Sequence, residues 1–183
     1  MPRRDDLKRI LILGSGPIRI GQAAEFDFSG SQACRALRSD GYEVILVNSN
    51  PATIQNDPEM ADRIYIEPLL PEVVKRIMES EKPDALLAGM GGQTALNIAS
   101  ALAKDGTLDE LGGELIGCNL AAIDEAEDRK RFQMLINSLD LRQPANETVQ
   151  SKQEAIETAN KLGLSLIHIS EPTRRYAISY AVF

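Results

Sequence analysis

The chain has 183 residues, with 20 Lys and Arg against 27 Asp and Glu, a formal net charge of -7, two cysteines and one histidine. That length suits one compact domain, or one domain and the start of another, with a core that needs no covalent staples. Its basic runs stop at Arg3-Arg4 and Arg129-Lys130-Arg131, so it lacks the cationic surface that nucleic-acid backbones require, and nucleic acid is excluded as a partner. Cys34 and Cys118 have no CxxC spacing and read as reduced thiols of a cytoplasmic protein. No segment approaches a membrane span, and the apolar run after "MPRRDDLKR" is short and has no cleavage signature.

In chain order, two periodicities alternate. "RILILG" (9–14) and "YEVILVNSN" (42–50) are continuous apolar runs of strand length, the pattern of strands covered on both faces. Between them "SGSQACRALRSDG" places Cys34, Leu37 and small residues at helical spacing, with Gly41 where a glycine cap belongs. "RIYIEP" predicts a short strand. "PEVVKRIMESEKPD" predicts an amphipathic helix opened by Pro71, with Val73, Val74, Ile77 and Met78 inward. "DALLAGMGG", "QTALNIASALAKDG" and "GELIGCN" continue as strand, helix and strand. Such alternation argues for an α/β fold, a parallel sheet wound with helices on both faces.

After about residue 120 the rhythm changes. "DEAEDRKRFQMLINSLDL" predicts one long helix with Phe132, Leu135, Ile136 and Leu139 on a stripe. "SKQEAIETANKLG" predicts another, opened by a Ser151/Glu154 capping box and closed by Gly163. No complete sheet follows to pack them.

The loop "GSGPIRIG" is not a dinucleotide fingerprint. Gly14-x-Gly16 is followed by Pro17, the next glycine is Gly21, two positions late, and "VNSNP" stands where a ribose-binding acid belongs. The glycines let a strand turn tightly into a helix. Three polar stretches, "GQAAEFDFSG", "NSNPATIQNDPEMAD" and "GMGGQTALN", crowd the carboxyl ends of the strands, where open α/β sheets place ligands. Read alone, each is equally well ordinary loop and capping chemistry.

Together, the run "LILGSGPIRIGQAAEFDFSGSQACRALRSDGYEVILVNSNPATIQNDPEMAD", then "GMGGQTALN", then "AEDRKRF", closely resembles the amino-terminal part of the large chain of glutamine-dependent carbamoyl-phosphate synthase, from Met1 to about Gly163. The resemblance implies an ATP-dependent ligase that forms carbamoyl phosphate from bicarbonate, glutamine-derived ammonia and two ATP, for arginine or pyrimidine synthesis. It implies a Rossmann-like pre-ATP-grasp domain over 1–120, the helical start of a truncated ATP-grasp domain over 121–163, and a glutaminase small chain as partner. An oligomer is left open. Mg²⁺ or Mn²⁺ serves the parent enzyme, with metal ligands outside this segment, which is expected to be inactive alone. The resemblance also gives Arg129 the role of ATP contact, suited to a fixed fork of donors. Without the resemblance, Arg129, Lys130 and Arg131 read as a solvated helix face beside Glu125, Glu127 and Asp128. It further suggests that Glu25, placed on the loop after Gly21, faces the ammonia route or the partner chain. The alternatives are the leading domain of another ATP-grasp carboxylase or ligase, or a non-catalytic subunit-docking α/β module.

The last stretch, "LSLIHISEPTRRYAISYAVF" (164–183), resembles translated transposase-end and adapter sequence and is expected to be foreign to the fold. Without it the basic count is 18, the acidic count 26 and the net charge -8, and His168, the one histidine, is lost. The genuine segment then offers no His-based catalysis and no zinc cluster.

Overall fold

The computed structural model describes residues 3–16, 24–144, 147, 149 and 151–162. The chain divides into two units, Met1–Asp124 and Glu125–Phe183. The first holds β1 (Arg9–Leu13), α1 (Ala24–Ser39), β2 (Glu43–Val47), a 3₁₀ turn (Ile54–Asn56), β3 (Arg63–Tyr65), α2 (Pro71–Glu81), β4 (Ala85–Leu87), α3 (Gly92–Lys104), α4 (Thr107–Leu111) and β5 (Glu114–Ile116). Helix α5 (Leu120–Glu127) runs across the division, and α6 (Arg129–Ser138) and α7 (Lys152–Leu162) belong to the second unit. No helix among the described residues is long and apolar enough to cross a membrane.

The five strands form one sheet in the order β3-β2-β1-β4-β5, and every neighbouring pair is parallel. Leu11 stands opposite Ile45 on one side and Leu86 on the other, so β1 is the central strand. Its apolar residues divide by the two-residue period of a strand. Leu11 and Leu13 join Ile45, Val47 and Leu86 under Val74, Ile77 and Met78 of α2 and Ala95, Ile98, Ala99 and Leu102 of α3. Ile10 and Ile12 join Val44, Leu46 and Ala85 on the opposite face, against Cys34 of α1 and Tyr42. Each large side chain buried this way contributes roughly 1.5–3 kcal/mol. Burial also pushes the Cys34 thiol up to about 11, only partly offset by a backbone hydrogen bond and Arg38, so this cysteine is packing material as its context suggested.

Aspartates bind the amino edge of the sheet together. Asp84, just before β4, accepts the N–H groups of Lys8 and Arg9 at 2.7 and 2.8 Å, and Asp62 accepts that of Val44 at 2.8 Å. Burial alone would raise the Asp84 carboxyl. The two N–H donors and the nearby cationic side chains outweigh it and hold the group below its usual range. At the end of α2 the carboxylate of Glu81, itself buried, meets the Arg63 guanidinium and the Tyr65 hydroxyl. The hydrogen bond to Glu81, then burial, pushes the Tyr65 hydroxyl up.

Helix α4 and the 3₁₀ turn have no counterpart in the sequence expectation, and two expected helices differ in extent. Helix α1 begins at Ala24, before Ser29, so Glu25, Phe26 and Asp27 lie on its first turn and not on a loop. The long helix expected from Asp124 is broken at Asp128, which is extended (φ -81, ψ 114) and accepts the Arg131 N–H at 2.8 Å as the cap of α6. A short polar side chain competes with the helix for its own backbone and wins here. Helix α7 opens as expected, with Ser151 Oγ accepting the Glu154 N–H at 3.2 Å, while Gly163 and residues 164–183 lie outside the described residues.

Candidate ligand edge of the sheet

Strands β1, β2 and β4 end together, and the segments after them pack against one another at one edge. Gly14 follows β1 and donates its N–H to Val47 at 2.8 Å. A Cβ on Gly14 would lie 2.6 Å from Asn48 Cγ, and one on Gly91, after β4, would lie 2.5 Å from the Leu13 carbonyl oxygen. Side chains at these positions would push the loops apart, which is why glycines crowd the ends of buried strands here. Gly16 then turns the chain at φ +93. Pro17 and Gly21 lie outside the described residues.

The stretch after β2 is built from its own side chains. Asn48 Oδ1 accepts the Asn50 N–H at 3.0 Å, Asn50 Oδ1 that of Ala52 at 3.0 Å, and Thr53 Oγ1 that of Gln55 at 3.2 Å. These are side-chain turns that satisfy a backbone leaving the sheet. Asn56 Nδ2 donates back to the Asn50 carbonyl at 2.7 Å. Asn48 Nδ2 donates to Gln55 Oε1 at 3.2 Å, and Gln55 Nε2 to the Phe26 carbonyl at 2.9 Å, so the stretch is joined to α1. Across the glycines, Ser15 Oγ stands 3.4 Å from Asp27 Oδ1. Ser49 Oγ and Asn56 Oδ1 are buried with no hydrogen-bond partner.

The three stretches picked out as crowding one edge are thus brought together. The assembled groups are amides, hydroxyls, backbone N–H groups and the Asp27 carboxylate, which suit hydrogen bonding to a small polar ligand. Among the described residues no three His, Cys, Asp or Glu side chains are grouped to hold a metal ion. Glu25 is exposed on the first turn of α1. A separate cleft of about 480 Å³ opens between Arg3, Tyr42 and β5, but Arg4 at its rim is already engaged by Asp6 and Glu114.

Arg129 lies in the second unit, exposed, as the first residue of α6. Lys130 and Arg131 follow it in a first turn that holds no acidic residue. A helix start is the positive end of the helix dipole, so each cation there is disfavoured by roughly 0.3–1 kcal/mol. The cap Asp128 offsets part of that cost.

The sequence reading missed Gln55, the Ser15 and Asp27 pair, and buried Glu81. The available signal for Gln55 was Gly30, a glycine inside a helical pattern, which marks a place where another group approaches the backbone.

The fold is shared with biotin carboxylase domains. The biotin carboxylase domain of a single-chain bacterial carboxylase superposes with a TM-score of 0.60 at 15% identity, covering 84% of this chain and 34% of that one. The biotin carboxylase domain of Hydrogenobacter thermophilus 2-oxoglutarate carboxylase, solved with MgADP, ADP and bicarbonate, gives 0.61 at 16% identity over 87% and 34%. At such identities the likeness establishes the fold. A family model described as "Carbamoyl phosphate synthase preATP-grasp domain" matches residues 6–125. The large chain from Nostoc sp. is 59% identical over 163 residues, 89% of this chain and 15% of its own length. That from Methanothrix thermoacetophila is 56% identical over 91% of this chain and 16% of its own. In Aquifex aeolicus the match is to "Carbamoyl phosphate synthase large chain, N-terminal section", 54% identical over 91% of this chain and 30% of that one. The chain belongs to the carbamoyl phosphate synthase large-chain family, and it spans about one-sixth of the full-length relatives it matches.

Proposed function

We propose that this chain is the leading segment of the carboxyphosphate-forming half of a carbamoyl-phosphate synthase, a cytoplasmic ligase that uses bicarbonate, ammonia and two ATP. The match to the amino-terminal section in Aquifex aeolicus, over 91% of this chain, carries that reading. A glutaminase small chain supplies the ammonia. The metal, Mg²⁺ or Mn²⁺, is held by carboxylates beyond residue 163. When bound, the metal neutralises phosphoryl charge. This segment contributes position: the polar edge of the sheet faces substrate, and Arg129 at the start of α6 holds nucleotide phosphate through its fixed fork of donors. Residues 164–183 are foreign to the enzyme.

The test is a pair of assays. The 183-residue chain is expected to make no carbamoyl phosphate from bicarbonate, ammonia and MgATP. A full-length large chain carrying residues 1–163 is expected to hydrolyse ATP in a bicarbonate-dependent way. Product from the short chain, or no bicarbonate-dependent hydrolysis by the long one, refutes the reading.

A further inference from the structure

One side chain ties the ligand edge together. Gln55 is fully buried, and its amide lies within a relay that has a backbone group at each end. The Phe26 carbonyl accepts from Nε2, Oε1 accepts from Asn48 Nδ2, and Asn48 Oδ1 accepts the Asn50 N–H. A carbonyl at one end and an N–H at the other dictate which way both amides point. A carboxylate at 55 would lack the donor that Phe26 needs. An apolar side chain of the same volume would fill the slot without desolvating an amide, but it would impose no direction.

The relay reaches α1 through a gap. Phe26 and Gly30 are one helical turn apart, and a Cβ on Gly30 would lie 2.6 Å from Gln55 Nε2, so the missing side chain is the opening. On its other side the Phe26 ring packs against Gly92 at the start of α3, where a Cβ would stand 3.1 Å from Cζ. The first turn of α1 is therefore held by an amide from the β2 side and by a ring contact from the β4 side. That turn carries Glu25 and Asp27.

We propose that Gln55 is a positioning residue for chemistry at this edge. It sets the first turn of α1 against the Asn48 to Asn50 stretch, so that polar groups from both reach a substrate already in place. The proposal rests on the carboxyphosphate-forming reading above. Two substitutions in the full-length large chain with its small chain test it. Gln55→Met keeps the volume and deletes both amide bonds, while Gly30→Ala keeps Gln55 and displaces its amide.

Both are expected to lower kcat/KM for bicarbonate-dependent ATP hydrolysis about 10- to 100-fold, the cost of a small misplacement of reacting groups, and to do so mainly through the KM for bicarbonate. ATP formation from carbamoyl phosphate and ADP, which on the proposed reading belongs to the other half of the full-length chain, is expected to stay within about twofold, the usual size of effects away from a site's own contacts. If one variant does not fold, the other decides. A lower melting temperature with unchanged KM, or equal losses in both half-reactions, makes Gln55 core packing alone and overturns the role. An unsubstituted chain with no bicarbonate-dependent hydrolysis overturns the functional reading and this role with it.

Discussion

Arg129 is where residue chemistry carries most of the functional argument. A guanidinium is always charged and offers paired donors to phosphate oxygens, whereas Lys130 beside it is a hydrated point charge on a flexible stem. If Arg129 holds ATP during bicarbonate phosphorylation, Arg129→Ala in the full-length chain removes a charge-assisted contact worth roughly 1.5–3 kcal/mol. The ATP requirement of bicarbonate-dependent hydrolysis is then expected to rise about 10- to 150-fold. Lys130→Ala should cost little, and ATP formation from carbamoyl phosphate should be comparatively spared. Steady-state titration of ATP in both directions checks this. Equal losses from the two substitutions would remove Arg129 from the nucleotide site.

At the scale of elements, the joint between β1 and β4 depends on one carboxylate. Because Asp84 has a folded-state pKa below its unfolded value, it stabilises the fold at pH values above the ordinary Asp range near 4. That contribution is lost as pH falls through the depressed folded value. Asp84→Ala strands the N–H groups of Lys8 and Arg9 and is expected to cost about 1–2 kcal/mol at neutral pH. In urea denaturation the gap between wild type and variant should shrink toward pH 3, whereas a gap that widens on acidification contradicts this account. The elements also show where sequence is a good guide. Strands and α2 were legible because buried apolar runs and Pro71 announce them. The early start of α1 was hidden because Gly30 and the Phe26 to Phe28 stretch argue locally against a helix, and only the packing of distant Gln55 explains them. The break at Asp128 was masked because the charged run Glu125 to Arg131, whose Glu, Lys and Arg residues suit a helix, leads directly into the apolar stripe that begins at Phe132. Of the ligand edge, the three polar stretches could be read from sequence, but the relay joining two of them could not.

In the whole molecule the first unit is closed by design. Its edge strands β3 and β5 are three residues each and carry Arg63 and Glu114, which discourage further pairing. In the second unit Phe132, Met134, Leu139, Leu141 and Ile156 are exposed. A chain ended at Gly163 is expected to melt within about 2 °C of the 183-residue chain, a difference worth under 1 kcal/mol at this size. A fall beyond about 5 °C in calorimetry would mean that residues 164–183 belong to the fold.

The position of β1 has a consequence for synthesis on the ribosome. Of the five strands of this sheet, the earliest to emerge is the one that ends in its middle, with β2 on one flank and β4 on the other. Until residue 85 has left the exit tunnel, one side of "ILIL" waits without its permanent neighbour, an apolar run open to pairing with another nascent chain. The residues just before it are Arg3, Arg4, Asp5, Asp6, Lys8 and Arg9. A charged flank of this kind acts as a gatekeeper, opposing association between chains during the interval when the central strand is most exposed.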